Sequence, residues 1–349
     1  METRIIKVQS EQDLHLLKEA VELIKQGNVV AMPTETVYGL AANALDGEAC
    51  GRIYEAKNRP SDNPLIVHIS DLDMLPLVTD VSKLSTEVRQ IMDGFWPGPL
   101  TILLPKGEGV PKRVVGGAEM QTVAVRMPEH WLARALIREC GFPLAAPSAN
   151  LSGRPSPTCA QHVFTDLEGR IPLILDDGQR SSVGVESTVL DVHNRLILRP
   201  GAVTKEMLQG VLPDVDYFSN VEHWGTVDVN RPPTPGMKYR HYSPDSPLLL
   251  YYNYPPDLVE EQVCLHLARG SKVVRILSDR GVVTAAVPVF LSEAKDDYGR
   301  MAYNLFDVLR SADALKPDVI IAEALRKCSE TEAVMNRLEK AASEKFYFA

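Results

Sequence analysis

Hydrophobic positions recur at two different spacings along this chain. Leu14, Leu17, Val21 and Ile24 follow one another at helical spacing. Ser10, with Asp13 three residues on, reads as a variant capping box before them, and Gly27 reads as the stop after them. Beyond that helix come short apolar runs rich in β-branched residues with turn residues between them, a pattern that predicts strands. The predicted strands are residues 28–32, 65–69, 100–104, 122–125, 143–146, 172–175, 188–192 and 196–198. Helical patterns fit 46–57, 82–95, 130–140 and 158–167. Strands outnumber helices and the two do not alternate strictly. The first 210 residues therefore predict an α+β domain built on a largely mixed sheet.

The pattern then changes twice. Residues 211–245 hold Pro213, Pro232, Pro233, Pro235, Gly236 and Pro244 with little periodicity, which marks a linker or extended arm. Some 35 residues without clear elements are long for a passive connection, so a functional role for this arm is expected. From residue 246 onward strands and helices alternate: strand 248–252, helix 257–269, strands 272–277 and 287–291, helix 293–314, strand 318–322 and helix 330–345. Such alternation predicts a small α/β domain with a parallel sheet over 246–349.

Composition fits that picture. The chain has 349 residues, 45% hydrophobic and 24% charged, as in an ordinary globular protein of two domains. Its formal net charge of −9 repels phosphate backbones at long range, so strong general nucleic-acid binding is not expected. Cys50, Cys140, Cys159, Cys264 and Cys328 are scattered and odd in number, which favours free thiols in a reducing compartment over disulfides or a zinc site. No apolar stretch resembling a signal peptide opens the chain, and none approaches membrane-spanning length. The expectation is a cytoplasmic protein without a membrane partner.

No G-x-x-x-x-G-K-[ST], no G-x-G-x-x-G after a strand, no H-E-x-x-H and no G-x-S-x-G occurs. Any nucleotide phosphates must be held in another way. Four segments combine a strand end with polar groups that packing alone does not need. Met32 to Leu40 runs a strand into two threonines, a carboxylate and a tyrosine, although an isolated segment of this kind also reads as turn chemistry. Lys57 and Arg59, two residues apart before a Pro-rich loop, can converge on one anion, or lie on a solvated loop. Arg126 closes a strand just before Pro128, as a carboxylate clamp or a structural ion pair. In Pro143 to Gly153, small residues let the backbone approach a ligand, and Ser and Asn supply donors able to cradle phosphates without a Walker lysine. The arm adds PGMKYRHYSP, basic and aromatic inside an acidic protein, as a solvated arm or a strap over a nucleotide pocket.

Seven motifs in order over about 200 residues resemble the YrdC-type threonylcarbamoyl-AMP synthases. They are PTETVYGL at 33–40, KNRPSDNPLIVH at 57–68, WPGPLTILL at 96–104, VAVRMP at 123–128, PSANLSG at 147–153, GVEST at 184–188 and LRPG at 198–201. The arm and the α/β tail are similar to the longer, two-domain members. The resemblance implies a twisted α/β open sheet around a deep positive cavity, with a Rossmann-like tail. It also implies condensation of L-threonine, bicarbonate and ATP, with Mg²⁺ on the phosphates, to L-threonylcarbamoyl-AMP, pyrophosphate and water. A separate transferase would carry the product into threonylcarbamoyladenosine of tRNA. Carried over by motif, Lys57, Arg59, Ser148 and Asn150 are the set around the phosphates. Asn63, Thr122, Ser156 and Arg199 fall where further ATP contacts are expected. Thr36, His68, Arg126, Ala146 and Ser187 fall where threonine is expected. Tyr239, His241 and Tyr242 match the arm that closes over the site. No protein metal ligand is implied.

Two other readings compete. An RNA-binding module could use the same cavity without ATP turnover, but the acidic balance and the lack of a basic stripe oppose it. Carbamoyl transfer in hydrogenase maturation would need attached acylphosphatase and zinc-finger regions, and the cysteine spacing excludes the latter.

Overall fold

The structure is a computed structural model that describes residues 1–117, 119–220 and 241–348. These residues form two compact units. The first holds 1–117, 119–152, 157–182 and 186–220; the second holds 153–156, 183–185 and 241–348.

In the first unit, eleven strands make one mixed sheet. In chain order they are β1 (Arg4–Lys7), β2 (Val30–Met32), β3 (Gly39–Asn43), β4 (Ile66–His68), β5 (Leu100–Pro105), β6 (Thr122–Arg126), β7 (Leu144–Ala145), β8 (Leu173–Asp176), β9 (Thr188–Asp191), β10 (Leu196–Arg199) and β11 (Asp216–Tyr217). Their spatial order is β1-β8-β2-β3-β7-β4-β6-β5-β9-β10-β11. Helices α1 (Leu17–Lys25), α2 (Gly47–Lys57), α3 (Thr86–Phe95), α4 (Lys112–Val115), α5 (Trp131–Cys140), α6 (Ala160–Leu167) and α7 (Lys205–Gln209) surround it. The Ser10 capping box forms and is followed by a 3-10 turn, Glu11–Leu16, that runs into α1.

Alternation along the strands splits the core between the two faces of the sheet. Ala31, Val67, Ile102, Val125 and Ala145 point into one large cluster packed by α2, α3 and α6. Val30, Met32, Leu144 and Ala146 point the other way, against α1 and α5. On this second face Ile66, Leu103, Ala124 and Val189 form a further apolar cluster. His68, Thr101 and Arg126, two residues from Ile66, Leu103 and Ala124 on the same strands, share that face. Register sets them abreast: His68 is opposite Arg126 across β4 and β6, and Thr101 is opposite Arg126 across β5 and β6. Three polar side chains thus make a row beside the apolar cluster on this face.

The second unit is a five-stranded sheet, parallel throughout, in the order β14-β13-β15-β12-β16. Its strands are β12 (Leu248–Tyr252), β13 (Val273–Leu277), β14 (Val287–Phe290), β15 (Val319–Glu323) and β16 (Glu344–Tyr347), with helices α8 (Pro256–Ala268), α9 (Tyr298–Ala314) and α10 (Ser329–Ala341). Arg275, fully buried in β13, is ion-paired with Glu260 of α8 and Glu323 of β15. Two expectations are corrected here. The helix expected from residue 293 begins at Tyr298, because the Asp297 carboxylate accepts the Arg300 N–H and fixes the start there. Residue 345, expected in the last helix, lies in β16, which pairs with β12. No helix among the described residues is long and apolar enough to cross a membrane.

Candidate active site

Helix α2 starts where Asp46 accepts the N–H groups of Glu48 and Ala49, and ends at Asn58, whose left-handed φ of 51° turns the chain out of the helix. That stop puts Lys57 in the last turn, where a cation opposes the negative end of the helix dipole. Its side chain is buried. Nζ donates to the carbonyls of Ser148 and Asn150 and lies 3.5 Å from Asn150 Oδ1. The Lys57 carbonyl in turn accepts the Ser152 N–H at 2.9 Å. Burial, then the nearby Arg59 charge, push the Lys57 ammonium well below the usual lysine range, while Asp166 and Glu186 act against them.

The 147–150 loop also lies along the start of β3. Leu40 donates to the Pro147 carbonyl and Ala149 donates to the Tyr38 carbonyl, each at 2.8 Å. Ala146 donates to the Ile66 carbonyl at 2.9 Å. Arg59 turns back on its own loop, with Nε 3.3 Å from the Asn63 carbonyl and Nη2 3.0 Å from the Pro64 carbonyl. Lys57, Ser148 and Asn150 are therefore one assembly, and Arg59 and Asn63 a second one beside it.

Arg126 is the centre of the polar row. Its Nη1 donates to Thr36 Oγ1 at 2.8 Å and its Nε to the Gly98 carbonyl at 3.2 Å. Its Nη2 lies 2.6 Å from Glu35 Oε1. Thr36 Oγ1 is 2.9 Å from Thr34 Oγ1, which donates to the Val37 carbonyl and so fixes the turn. Burial alone would raise the Glu35 carboxyl, but Arg126 beside it and the Glu129 N–H outweigh that and hold it below the usual carboxylate range. Burial first, and then the Arg126 charge, push the His68 imidazole down to about 3. His68 is thus neutral at ordinary pH, with Nδ1 3.2 Å from the Ile66 carbonyl.

Ser187 closes the row. Its hydroxyl is 2.7 Å from Thr101 Oγ1, and Arg199 reaches it from β10, with Nη2 to Ser187 Oγ at 3.1 Å and Nε to the Ser187 carbonyl at 3.0 Å. Gly201 allows this approach: a Cβ there would lie 2.3 Å from the Thr188 nitrogen. Gly201→Ala is expected to lower stability by about 1–3 kcal/mol in urea unfolding, because a backbone atom, not a mobile side chain, is in the way.

Thr36, His68, Arg126, Ser187 and Arg199 thus meet on one face of the sheet. Thr122 opens β6 on the Arg126 face, about 13 Å back along the strand at 3.3 Å per residue. Ser156, His241 and Tyr242 belong to the second unit, where the Tyr242 ring packs 5.3 Å from Phe306. Tyr239 lies outside the described residues. Reading by motif did not single out Glu35, Gly98 or Thr101. A threonine inside the apolar run LTILL at 100–104, and the carboxylate between two threonines in PTETVYGL at 33–40, were the available signals.

Comparison with known proteins points to one family. A family model described as telomere recombination matches residues 22–201, and one described as threonylcarbamoyl-AMP synthase, C-terminal domain, matches 203–343. The threonylcarbamoyl-AMP synthase of Bacillus subtilis is 45% identical over 332 residues, 93% of this chain and 92% of that one. That of Pyrococcus abyssi is 42% identical, covering 97% of each chain. The crystal structure of Pyrococcus abyssi Sua5 complexed with L-threonine superposes with a TM-score of 0.87 at 39% identity, covering 100% of this chain and 99% of that one. With both domain models matched and relatives aligned over nearly its full length, this chain belongs to the threonylcarbamoyl-AMP synthase family.

Proposed function

We propose that this chain converts L-threonine, bicarbonate and ATP into L-threonylcarbamoyl-AMP, pyrophosphate and water, as a nucleotidyltransferase. The observation that carries the proposal is the buried row of Thr36, Arg126 and Ser187 in a chain of this family. Arg126 takes the threonine carboxylate, with Thr36, His68, Ala146 and Ser187 around the amino acid. Neutral His68 accepts or donates a hydrogen bond there without adding charge. The threonine ammonium gives up a proton, the freed amine nitrogen bonds to the bicarbonate carbon, a C–O bond breaks, and the departing hydroxyl leaves as water with a second proton from the nitrogen. A carbamate oxygen then bonds to the α-phosphorus of ATP, and pyrophosphate departs with the electrons of the broken P–O bond.

Little covalent chemistry falls to the protein, so alignment and charge neutralisation carry the rate. The loop held by Lys57 presents Ser148 and Asn150 to the phosphates, with Arg59, Asn63 and Arg199 nearby. No three His, Cys, Asp or Glu side chains gather as a metal site among the described residues. Magnesium would enter as part of the ATP substrate. A tRNA threonylcarbamoyl transferase acting downstream, in the cytoplasm where ATP and tRNA meet, would consume the labile mixed anhydride. The RNA-module reading is not favoured by these relatives.

The test is pyrophosphate release by the purified protein. Release that requires both L-threonine and bicarbonate, with a threonine–AMP adduct formed, is the expected result. Release independent of threonine would overturn the proposal.

A further inference from the structure

Glu35 carries chemistry that the reaction scheme above leaves unused. It lies in the turn between β2 and β3 and is 4% exposed. Its two oxygens have different surroundings. Oε1 accepts the Glu129 N–H at 3.0 Å and faces Arg126 Nη2 at 2.6 Å. Oε2 is buried and has no hydrogen-bond partner among the described residues. Arg126 Nη2, though close to Oε1, is not aligned with any acceptor for a hydrogen bond. Buried polar atoms are almost always paired, and each exception asks for an explanation. Here two exceptions sit on the two halves of one ion pair. Glu35 Oε2 has no partner, and Arg126 Nη2 is ion-paired with Oε1 without an aligned hydrogen bond, next to the Thr36 hydroxyl that Arg126 already holds.

The complement of such a pair is a molecule with a carboxylate and an ammonium on neighbouring atoms. We infer that Glu35 is a specificity-determining residue that takes the α-ammonium of the substrate amino acid on Oε2 while Arg126 takes its carboxylate. The inference rests on the threonine role proposed for Arg126. Charge balance supports it. The Glu35–Arg126 pair is neutral as a whole, and a zwitterion added to it leaves the buried site neutral. A carboxylate without an amine would leave one uncompensated negative charge in a region that water does not reach, which is strongly disfavoured. The site would therefore select free α-amino acids against deaminated ones. Carbamate formation then reverses the charge at the nitrogen end, so Glu35 repels what it first held and favours departure of the carbamate from this seat.

The experiment is calorimetric binding of L-threonine and of (R)-3-hydroxybutyrate, which keeps the carboxylate and the hydroxyl and lacks the amine. The wild-type protein is expected to prefer threonine by about 10–100-fold, the span of a hydrogen bond to a charged group. Glu35→Gln is expected to erase most of that preference while binding the hydroxy acid nearly as the wild type does. In turnover its KM for threonine rises and its KM for ATP does not. Equal weakening of both ligands in Glu35→Gln, with the preference kept, would show that Glu35 only steadies Arg126 and would overturn the inference. Should Glu35→Gln fail to fold, Glu35→Asp withdraws the oxygen by one methylene, and an undiminished threonine preference there overturns it equally. If neither ligand binds the wild type, the threonine reading itself fails, a result distinct from both.

Discussion

Lys57→Met is expected to cut threonine-dependent pyrophosphate release by roughly 10²–10³-fold, the usual effect of removing one preorganised donor from a site where charge develops. Methionine keeps an unbranched stem of similar length, so the buried volume at the end of α2 stays filled. The variant loses the ammonium that holds the carbonyls of Ser148 and Asn150. One buried and one half-buried carbonyl then lack that donor, and stability should fall by about 1–3 kcal/mol. Relief from burying a charge offsets part of this, since burial disfavours that ammonium. Activity should therefore drop far more than stability. Lys57→Arg should not rescue it, because a planar fork does not fit a seat in which one nitrogen meets two carbonyls. Urea unfolding and turnover measured on the same variants separate the two effects. A Met variant that is destabilised yet turns over like wild type would confine Lys57 to holding the loop.

That prediction shows where sequence reading stops. The position of Lys57 at a helix end could be read from Asp46 as cap and the run up to Asn58, because capping is local chemistry. What Nζ does there could not, since its partners lie 91 and 93 residues away. The same holds for Arg126 and Thr36, 90 residues apart, and for Thr101 and Ser187, 86 apart. Motifs named most of these residues, but only strand register places them abreast. Strands were legible where they are buried and β-branched, as in β5, β6 and β9. They were missed where that signal is absent. β1 (RIIK) and β16 (EKFY) are mostly exposed edge strands in which two charged and two apolar or aromatic residues do not alternate. β3, with the sequence GLAAN, is buried but made of small residues that no strand propensity marks.

The Glu35–Arg126 pair yields the largest expected effect on stability, and a cycle of variants separates folding from chemistry. Arg126→Gln strips Glu35 of its cation and leaves a buried carboxylate alone, at a cost of about 3–5 kcal/mol. It should also abolish threonine-dependent turnover. In the double variant Glu35→Gln, Arg126→Gln no charge remains at the pair, and two amides can hydrogen-bond in place of the two ions. Most of the lost stability should return while turnover does not. The pH dependence has a definite sign. In the wild type the Glu35 carboxyl is held below its ordinary range, so the stability it contributes is present above the unfolded glutamate value and lost as pH falls through the folded one. In Arg126→Gln the chief opposing influence is gone and burial prevails, which raises the carboxyl. That variant binds its proton more readily folded than unfolded, so its stability should rise as pH falls from its raised folded value to the unfolded glutamate value, a window that lies above the one in which the wild type loses its own. Urea midpoints compared between neutral buffer and buffer near the ordinary glutamate value would show the variant gaining stability while the wild-type contribution of Glu35 holds. A double variant as unstable as Arg126→Gln would mean that the hydrogen bonds of Arg126 to Gly98 and Thr36, not its charge on Glu35, hold this face of the sheet together.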